Sequence, residues 1–176
     1  EHWQVPAVID TEPFEVVSAS GREIGFTRET SLVNRSGTRF DLSIRRVVRM
    51  LERDGAAALF GCPIPADLSI VAYETENTVT NAGEHAWDHE GGMIAVWILG
   101  MFPPSQHTTI VMPYRQGDEA QLGPAVNDDY FGRIPGDRLR TGDGVVYLRA
   151  DGCHRGKIGL SARRALPVAG AAVVRE

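Results

Sequence analysis

The apolar runs of this chain are short and end at turn-forming residues, and this feature constrains its fold most. Runs rich in valine, isoleucine and aromatic residues are interrupted by Gly, Pro, Asn or Asp before an amphipathic helix could complete its period. Helix periodicity is nearly absent, whereas the length and composition of the runs are typical of β-strands. The pattern therefore predicts a chain made of strands and turns.

Eight segments fit the strand pattern, and turn signals such as Ser36-Gly37, Asp54-Gly55 and Asp143-Gly144 separate them. The predicted strands are residues 14–18, 23–28, 39–51, 68–80, 92–101, 108–113, 144–150 and 157–161. This number of strands at this spacing indicates an all-β fold, an antiparallel β-sandwich. The 176 residues, 43% of them hydrophobic, suffice for one ordinary domain, so residues 1–176 are predicted to form a single sandwich segment.

The predicted strand at residues 39–51 has one apolar and one polar face over its first half. Phe40, Leu42 and Ile44 alternate with polar residues, which predicts that this face is buried and the other solvated. The stretch Arg46-Val47-Val48-Arg49 breaks the alternation. A bulge or a strand end is therefore expected there.

Residues 92–101 are apolar on both faces, as in a strand that is covered on both sides. We expect this strand in the sheet interior and Trp97 in the core. A marginal helix at residues 56–60 is the one helical alternative. No linker between domains is evident in the sequence.

Composition and charge narrow the range of partners. The net charge is -5 and the arginines are spread along the chain, so no basic surface for nucleic acid is expected. No apolar stretch approaches the roughly 20 residues of a membrane span. Cys62 and Cys153 lack metal or redox spacing, and a disulfide between them stays open. Without a phosphate loop or nucleotide fingerprint, no cofactor is predicted.

Six stretches along the whole chain carry a family resemblance. They are His2-Trp3-Gln4-Val5-Pro6 with Ile9-Asp10-Thr11-Glu12-Pro13-Phe14, Glu76-Asn77-Thr78-Val79-Thr80-Asn81, Trp97-Ile98-Leu99-Gly100-Met101-Phe102, Asn127-Asp128-Asp129-Tyr130-Phe131-Gly132, and Asp151 to Leu160. In content and order they resemble an uncharacterised bacterial family of the galactose-mutarotase-like, or aldose-1-epimerase-like, superfamily.

The resemblance implies a supersandwich of two large antiparallel sheets whose concave face binds a carbohydrate. Family members have further regions before and after these stretches, so the chain is expected to be a central fragment of a longer domain, in the periplasm or outside the cell. Mutarotases use a Glu and a His as base and acid, and the matching Glu would fall beyond Glu176. They also carry an Asn-His pair, but here Asn81 is followed by Ala82.

Glu74 and Glu76 are weak candidates for catalysis. Two positions apart on a strand, they face the same side, with side-chain origins roughly 6 to 7 Å apart. Paired carboxylates near that separation serve glycoside hydrolysis. The alternative is a pair of exposed acids matched by arginines of residues 39–49 across the sheet.

His85 and His89 are the other weak catalytic candidates, because an imidazole can titrate near neutral pH. With Asp88 and Glu90 they could also chelate a metal, but the spacing matches no known site and no metal is predicted. The alternative for the whole loop is a solvated connection.

The candidate sugar-binding residues combine aromatic platforms with hydroxyl partners. Trp87 and Tyr130, and with them Trp3, lie in polar stretches where an aromatic side chain costs solvation. Asn81 and Asp128 are suitable partners for hydroxyl groups. For residues 127–133 the alternative is an Asx-type turn packed by Phe131.

Arg155 and Lys157 complete the candidate binding set, in a polar cluster with Asp151 and His154. The hypothesis is that Arg155 or Lys157 contacts an anionic or hydroxyl-rich ligand. Lys157 is the only lysine of the chain, although a composition biased toward arginine explains this equally well.

Three functions remain open from the sequence. The first is an enzyme that acts on a sugar, with mutarotase-like acid and base chemistry or hydrolysis. The second is a carbohydrate-binding sandwich without catalysis, and the third is a purely structural sandwich. Neither the sugar nor the oligomeric state follows from the residues.

Overall fold

A computed structural model describes residues 5–173 of the chain. Its strands form two four-stranded antiparallel sheets. The chain divides after Ile98 into two compact units, and each unit contains one sheet. The all-β, antiparallel class predicted from the short apolar runs is confirmed. The single sandwich segment over residues 1–176 stays a prediction.

The first unit is a meander of four strands in the order β1-β2-β3-β4, preceded by the single helical turn α1. Its elements are α1 (Ala7–Asp10), β1 (Glu15–Ala19), β2 (Glu23–Val33), β3 (Arg39–Leu51), α2 (Arg53–Phe60) and β4 (Ala72–Asn81). The predicted turn at Ser36-Gly37 joins β2 to β3, where Gly37 takes a positive φ of 87°. Asp54-Gly55, predicted as a turn, lies inside α2 instead.

Strand β3 has the predicted bounds, but the predicted bulge at residues 46–49 is wrong. Its pairing with β2 and β4 is unbroken, and Arg49 stands opposite Glu23 on one side and Glu74 on the other. The alternation breaks because opposite faces of β3 are buried at its two ends. Leu42 and Val47 are an odd number of residues apart and so lie on opposite faces, yet both are buried. A regular strand covered on opposite faces at its two ends produces the same sequence pattern as a bulge.

The second unit contains the sheet β6-β7-β5-β8. Its elements are β5 (Thr108–Pro113), α3 (Glu119–Leu122), β6 (Leu139–Gly142), β7 (Val145–Arg149) and β8 (Gly170–Val173). The predicted Asp143-Gly144 turn joins β6 to β7, and both residues have positive φ, 52° and 77°. Two consecutive positive φ values define the type I′ turn that suits the twist of a hairpin.

The predicted interior strand at residues 92–101 is wrong. Apart from a single bridge between Asp88 and Gly92, the segment has no regular structure, and Trp97 is 66% exposed rather than in the core. The division between the units falls inside it, after Ile98. The segment therefore connects two units and joins neither sheet, which its apolar composition does not reveal.

The predicted strand at residues 157–161 is also replaced, by one bridge between Asn127 and Gly159. Its two glycines, Gly156 and Gly159, weaken any tendency to form a longer ladder. Strands β6 and β8 were not predicted. Among residues 5–173 no helix is long and apolar enough to cross a membrane.

Candidate functional site

A cleft of about 510 Å³ lies in the first unit, between the start of β3 and the loop that follows β4. Its volume is within the usual range for small-molecule sites. Its walls combine one indole ring with amide, carboxylate, guanidinium, imidazole and hydroxyl groups. The lining residues are Thr38, Arg39, Phe40, Asp41, Asn81, Ala82, Gly83, Glu84, His85, Ala86, Trp87, Asp88, Gly91 and Gly92.

Asn81 and Asp88 fix the shape of this loop with their side chains. The Asn81 Oδ1 atom accepts from the amide of Gly83 at 3.0 Å, and its Nδ2 atom donates to the carbonyl of His85 at 2.7 Å. The Asp88 Oδ1 atom accepts from the amide of Gly91 at 2.6 Å. Asn81 therefore positions the loop, and it is also exposed at the cleft wall.

Trp87 is anchored at the cleft by the core of the unit. Its ring and that of buried Phe40 have centroids 6.2 Å apart and planes at 74°, an edge contact. Such a contact covers at most one face of the indole. Trp87 is thus a half-buried aromatic surface held in a fixed position beside polar groups.

The lining of the cleft also includes an ion pair from β3. The Arg39 Nε atom donates to Asp41 Oδ1 at 2.9 Å, and its Nη2 atom donates to the hydroxyl of Ser31 at 2.8 Å. The hydroxyl of Ser31 also donates to Asp41. Hydrogen bonds from Arg39 and then from Ser31 lower the pKa of Asp41, so the carboxylate is ionised at neutral pH.

His85 lines the cleft, whereas His89 does not, and both are exposed. His85 is therefore the histidine placed to meet a ligand. Within residues 5–173, no three His, Cys, Asp or Glu side chains are grouped so as to hold a metal ion, including those of residues 85–90.

Glu74 and Glu76 share one face of β4, as alternation predicts, and both contact Arg49. The Arg49 Nη1 atom lies 3.5 Å from Glu74 and 3.1 Å from Glu76, and its Nε atom donates to Glu23 at 2.6 Å. The hydrogen bonds that Arg49 donates to Glu23, and then to Glu76, raise the pKa of Arg49. This is the cross-strand ion cluster that the sequence offered as the alternative to a hydrolytic pair.

In the second unit, three of the candidate side chains form a stacked cluster with Phe131. The Lys157 Nζ atom lies 4.0 Å from the centroid of the Tyr130 ring, and the Arg155 guanidinium 4.1 Å from that of Phe131. The two rings meet edge to face at 4.7 Å. Paired backbone hydrogen bonds of 2.9 Å between Asn127 and Gly159 bring the two loops together. The sequence singled out Tyr130, Arg155 and Lys157, but it predicted neither their stacking nor the part of Phe131.

Asp128 and its neighbours form the Asx-type turn that was the alternative for this loop. The Asn127 Oδ1 atom accepts from the amide of Asp129 at 2.9 Å. The Asp128 Oδ2 atom accepts from the amide of Ile134 at 2.8 Å. Asp128 therefore holds the loop with the side chain that was proposed for sugar hydroxyls.

Asp151 is engaged with two arginines of the same unit. It accepts two hydrogen bonds from Arg138, at 2.8 and 2.9 Å, and Arg149 Nε lies 3.1 Å away. The hydrogen bonds from Arg138, and then from the amide of Cys153, hold the pKa of Asp151 well below its usual range. Cys153 and Cys62 are both free and exposed. Trp3 lies outside the described residues.

A second cleft, of about 590 Å³, lies on the sheet of the second unit, and sequence reasoning missed it. It is lined by Gln106, His107, Thr108, Thr109, Asp137, Arg138, Arg140, Thr141, Gly142, Asp143, Tyr147 and Arg149. Its residues come from three strands and their turns. Only the register between those strands brings them together.

The described chain is thus an all-β protein with antiparallel sheets and clefts built by loops and strand ends. It belongs to the family of unknown function DUF6786, whose sequence profile matches residues 1–174. No curated protein and no solved structure matches it.

Proposed function

We propose that this protein binds a carbohydrate in the cleft between the start of β3 and the loop 81–92. The observation that carries the proposal is the half-buried Trp87 ring, anchored on Phe40, in a cleft that charged and amide side chains also line. Pyranose rings have an apolar face that stacks on aromatic rings and an edge of hydroxyl groups that needs fixed donors and acceptors. This cleft offers both.

The polar groups of the cleft are suited to hydroxyl recognition because they are held before a ligand arrives. Asp41 is fixed by Arg39 and Ser31, and Asn81 is fixed by the backbone of its own loop. Pre-organised groups lose little conformational freedom on binding. Asp41 accepts from hydroxyl groups and Arg39 donates to them.

Binding is tested by titrating the chain with neutral mono- and disaccharides while following backbone amide shifts by NMR. Trp87→Ala is expected to weaken binding about tenfold or more, equivalent to about 1.4 kcal/mol. Trp97→Ala is the matched control, because it removes an exposed indole outside the cleft.

Trp87 also packs on Phe40, so His85→Ala serves as a second variant. Its exposed side chain can be removed without loss of the Asn81 hydrogen bond, which goes to the His85 carbonyl. Equal weakening by Trp87→Ala and Trp97→Ala, or no binding of any neutral sugar by the wild type, would refute the proposal.

Mutarotation is the second candidate function, and the place of His85 in the same cleft favours it. Glu84 lines the cleft beside His85, as Asp41 and Asp88 also do, so carboxylates and an imidazole are available for a base and an acid. Polarimetry with simple aldoses tests this. A wild-type acceleration that His85→Ala abolishes supports catalysis, while sugar binding without acceleration supports the binding function alone.

A further inference from the structure

The open face of the second sheet carries two arginines on either side of a tyrosine. Arg140 on β6 stands directly opposite Tyr147 on β7, and Arg149 lies two residues further along the same strand. By alternation the three side chains share one face. The opposite face is the core, where Val146 is fully buried.

The arginines of this cleft differ in how far they are already paired. The two terminal nitrogens of Arg138 donate to the two oxygens of Asp151, and the Nε atom of Arg149 lies 3.1 Å from the same carboxylate. Within residues 5–173, the guanidinium of Arg140 has no hydrogen-bond or ion-pair partner, and the terminal nitrogens of Arg149 donate no hydrogen bond. Unused guanidinium donors therefore line one cleft.

The acids of the cleft leave these donors available. The hydrogen bond to Asp151 raises the pKa of Arg138, and the charge of Asp137 raises it to a smaller extent. Asp137 therefore interacts with Arg138. Asp143 sits in the turn between β6 and β7. Residues directly and diagonally opposite across a sheet are roughly 5 to 8 Å apart, so Arg140 and Arg149 can both reach one anionic group above Tyr147.

We propose that this cleft binds a ring compound that carries an oxyanion, such as a uronate or a sugar phosphate. The guanidiniums of Arg140 and Arg149 bind the oxyanion, and the Tyr147 ring packs against the apolar face of the compound. The volume of about 590 Å³ accommodates a ligand of this size. The proposal does not depend on the Trp87 cleft, which lies in the other unit.

The test uses the full chain in low salt, with D-glucuronate, D-glucose 6-phosphate, D-glucose and sodium sulfate as separate probes. Amide shifts of residues 138–149 report this cleft, and those of residues 81–92 report the other. We expect saturable shifts at residues 138–149 with the two ring anions, and weaker binding when salt screens the charges. If only glucuronate shifts these amides, the cleft binds a carboxylate, and if only glucose 6-phosphate shifts them, it binds a phosphate.

Arg140→Gln is expected to weaken ring-anion binding about tenfold, since it removes the unpaired guanidinium. Arg133→Gln is the matched control, because it removes the same charge from an exposed residue of the same unit outside the cleft. Equal loss in both variants, or equal shifts at residues 138–149 from glucose and glucuronate, would overturn the proposal. Sulfate binding as tightly as the ring anions would overturn the role of Tyr147.

Discussion

Arg164 is a buried cation that holds three loop carbonyls, and its removal should selectively destabilise the second unit. The residue is 4% exposed. Its Nε atom donates to the carbonyl of Gly123 at 2.6 Å, Nη1 to that of Arg115 at 2.9 Å, and Nη2 to that of Gly117 at 3.2 Å. These bonds tie the turn at residues 161–165 to the segment that contains α3.

The expected magnitude follows from the number of bonds. Arg164→Met retains much of the apolar packing but leaves three carbonyl groups without their donors. A hydrogen bond from a charged group contributes about 1.5 kcal/mol at the low end, so the loss of three should cost roughly 4 to 5 kcal/mol. The free energy of unfolding of a typical domain is about 5 to 15 kcal/mol, so this loss is a large share of it.

Amide hydrogen exchange is the suitable assay, because all three tryptophans precede Leu99 and their fluorescence reports the first unit. A loss of roughly 4 to 5 kcal/mol corresponds to roughly thousandfold or more faster exchange of the protected amides of β5 and β7. Arg163→Met is the matched control, because Arg163 is exposed and makes a single such bond, to Gln121. If Arg164→Met and Arg163→Met accelerate exchange equally, the three hydrogen bonds from Arg164 to loop carbonyls do not stabilise the unit as argued.

Four further predictions concern stability. Asp151→Asn should destabilise the second unit at neutral pH. Because folding depresses the pKa of Asp151, its carboxylate stabilises the fold above about pH 4, and this stabilisation is lost as the pH falls further. The difference in hydrogen-exchange protection between wild type and variant should therefore disappear on acidification. Leu42→Ala, at a site 2% exposed, should cost about 3 kcal/mol in urea unfolding followed by tryptophan fluorescence, whereas Met50→Ala on the same strand should cost far less. Gly144→Ala should cost about 1 to 2 kcal/mol by exchange in β7, since its φ is 77° and the new Cβ would lie 3.3 Å from a backbone carbonyl. Glu76→Gln should leave the urea midpoint unchanged, since this ion pair is exposed.

The sequence predicts those strands whose own residues alternate and whose ends carry turn residues. Strands β3 and β5 have the predicted bounds, and the turns at Ser36-Gly37 and Asp143-Gly144 fall where their dipeptides indicate. Such signals are local, so no knowledge of a neighbouring strand is needed. Strand β8, Gly170–Val173, lacks them, because glycine and alanine have little strand preference and the strand exists through pairing with β5.

The prediction for residues 92–101 failed because apolar composition does not tell a buried strand from an exposed connection. The segment has the content of a strand covered on both faces, yet it joins neither sheet of the described chain. Which segment enters a sheet depends on the available edges, and those are set by the rest of the fold.

The candidate sites show the same limit. Residues 81–88 come together because they share one loop, so sequence spacing predicts Asn81, His85 and Trp87 as neighbours. Arg140 and Arg149 become neighbours only through the register of β6 and β7. The two-residue turn at Asp143-Gly144 sets that register once β6 forms, but the sequence did not predict β6 as a strand, so it did not predict the second cleft.

An aromatic residue in a polar loop indicates a sugar platform only when its faces remain available. Lys157 stacks on one face of Tyr130, and Arg155 stacks on Phe131, while the two rings also meet each other. The chain's own cations thus occupy aromatic surface that a pyranose ring would need. Trp87 meets Phe40 by an edge contact alone, so at least one face of the indole is not covered by that contact. Of the candidate platforms in the described chain, Trp87 is therefore the one that best supports the proposed sugar site.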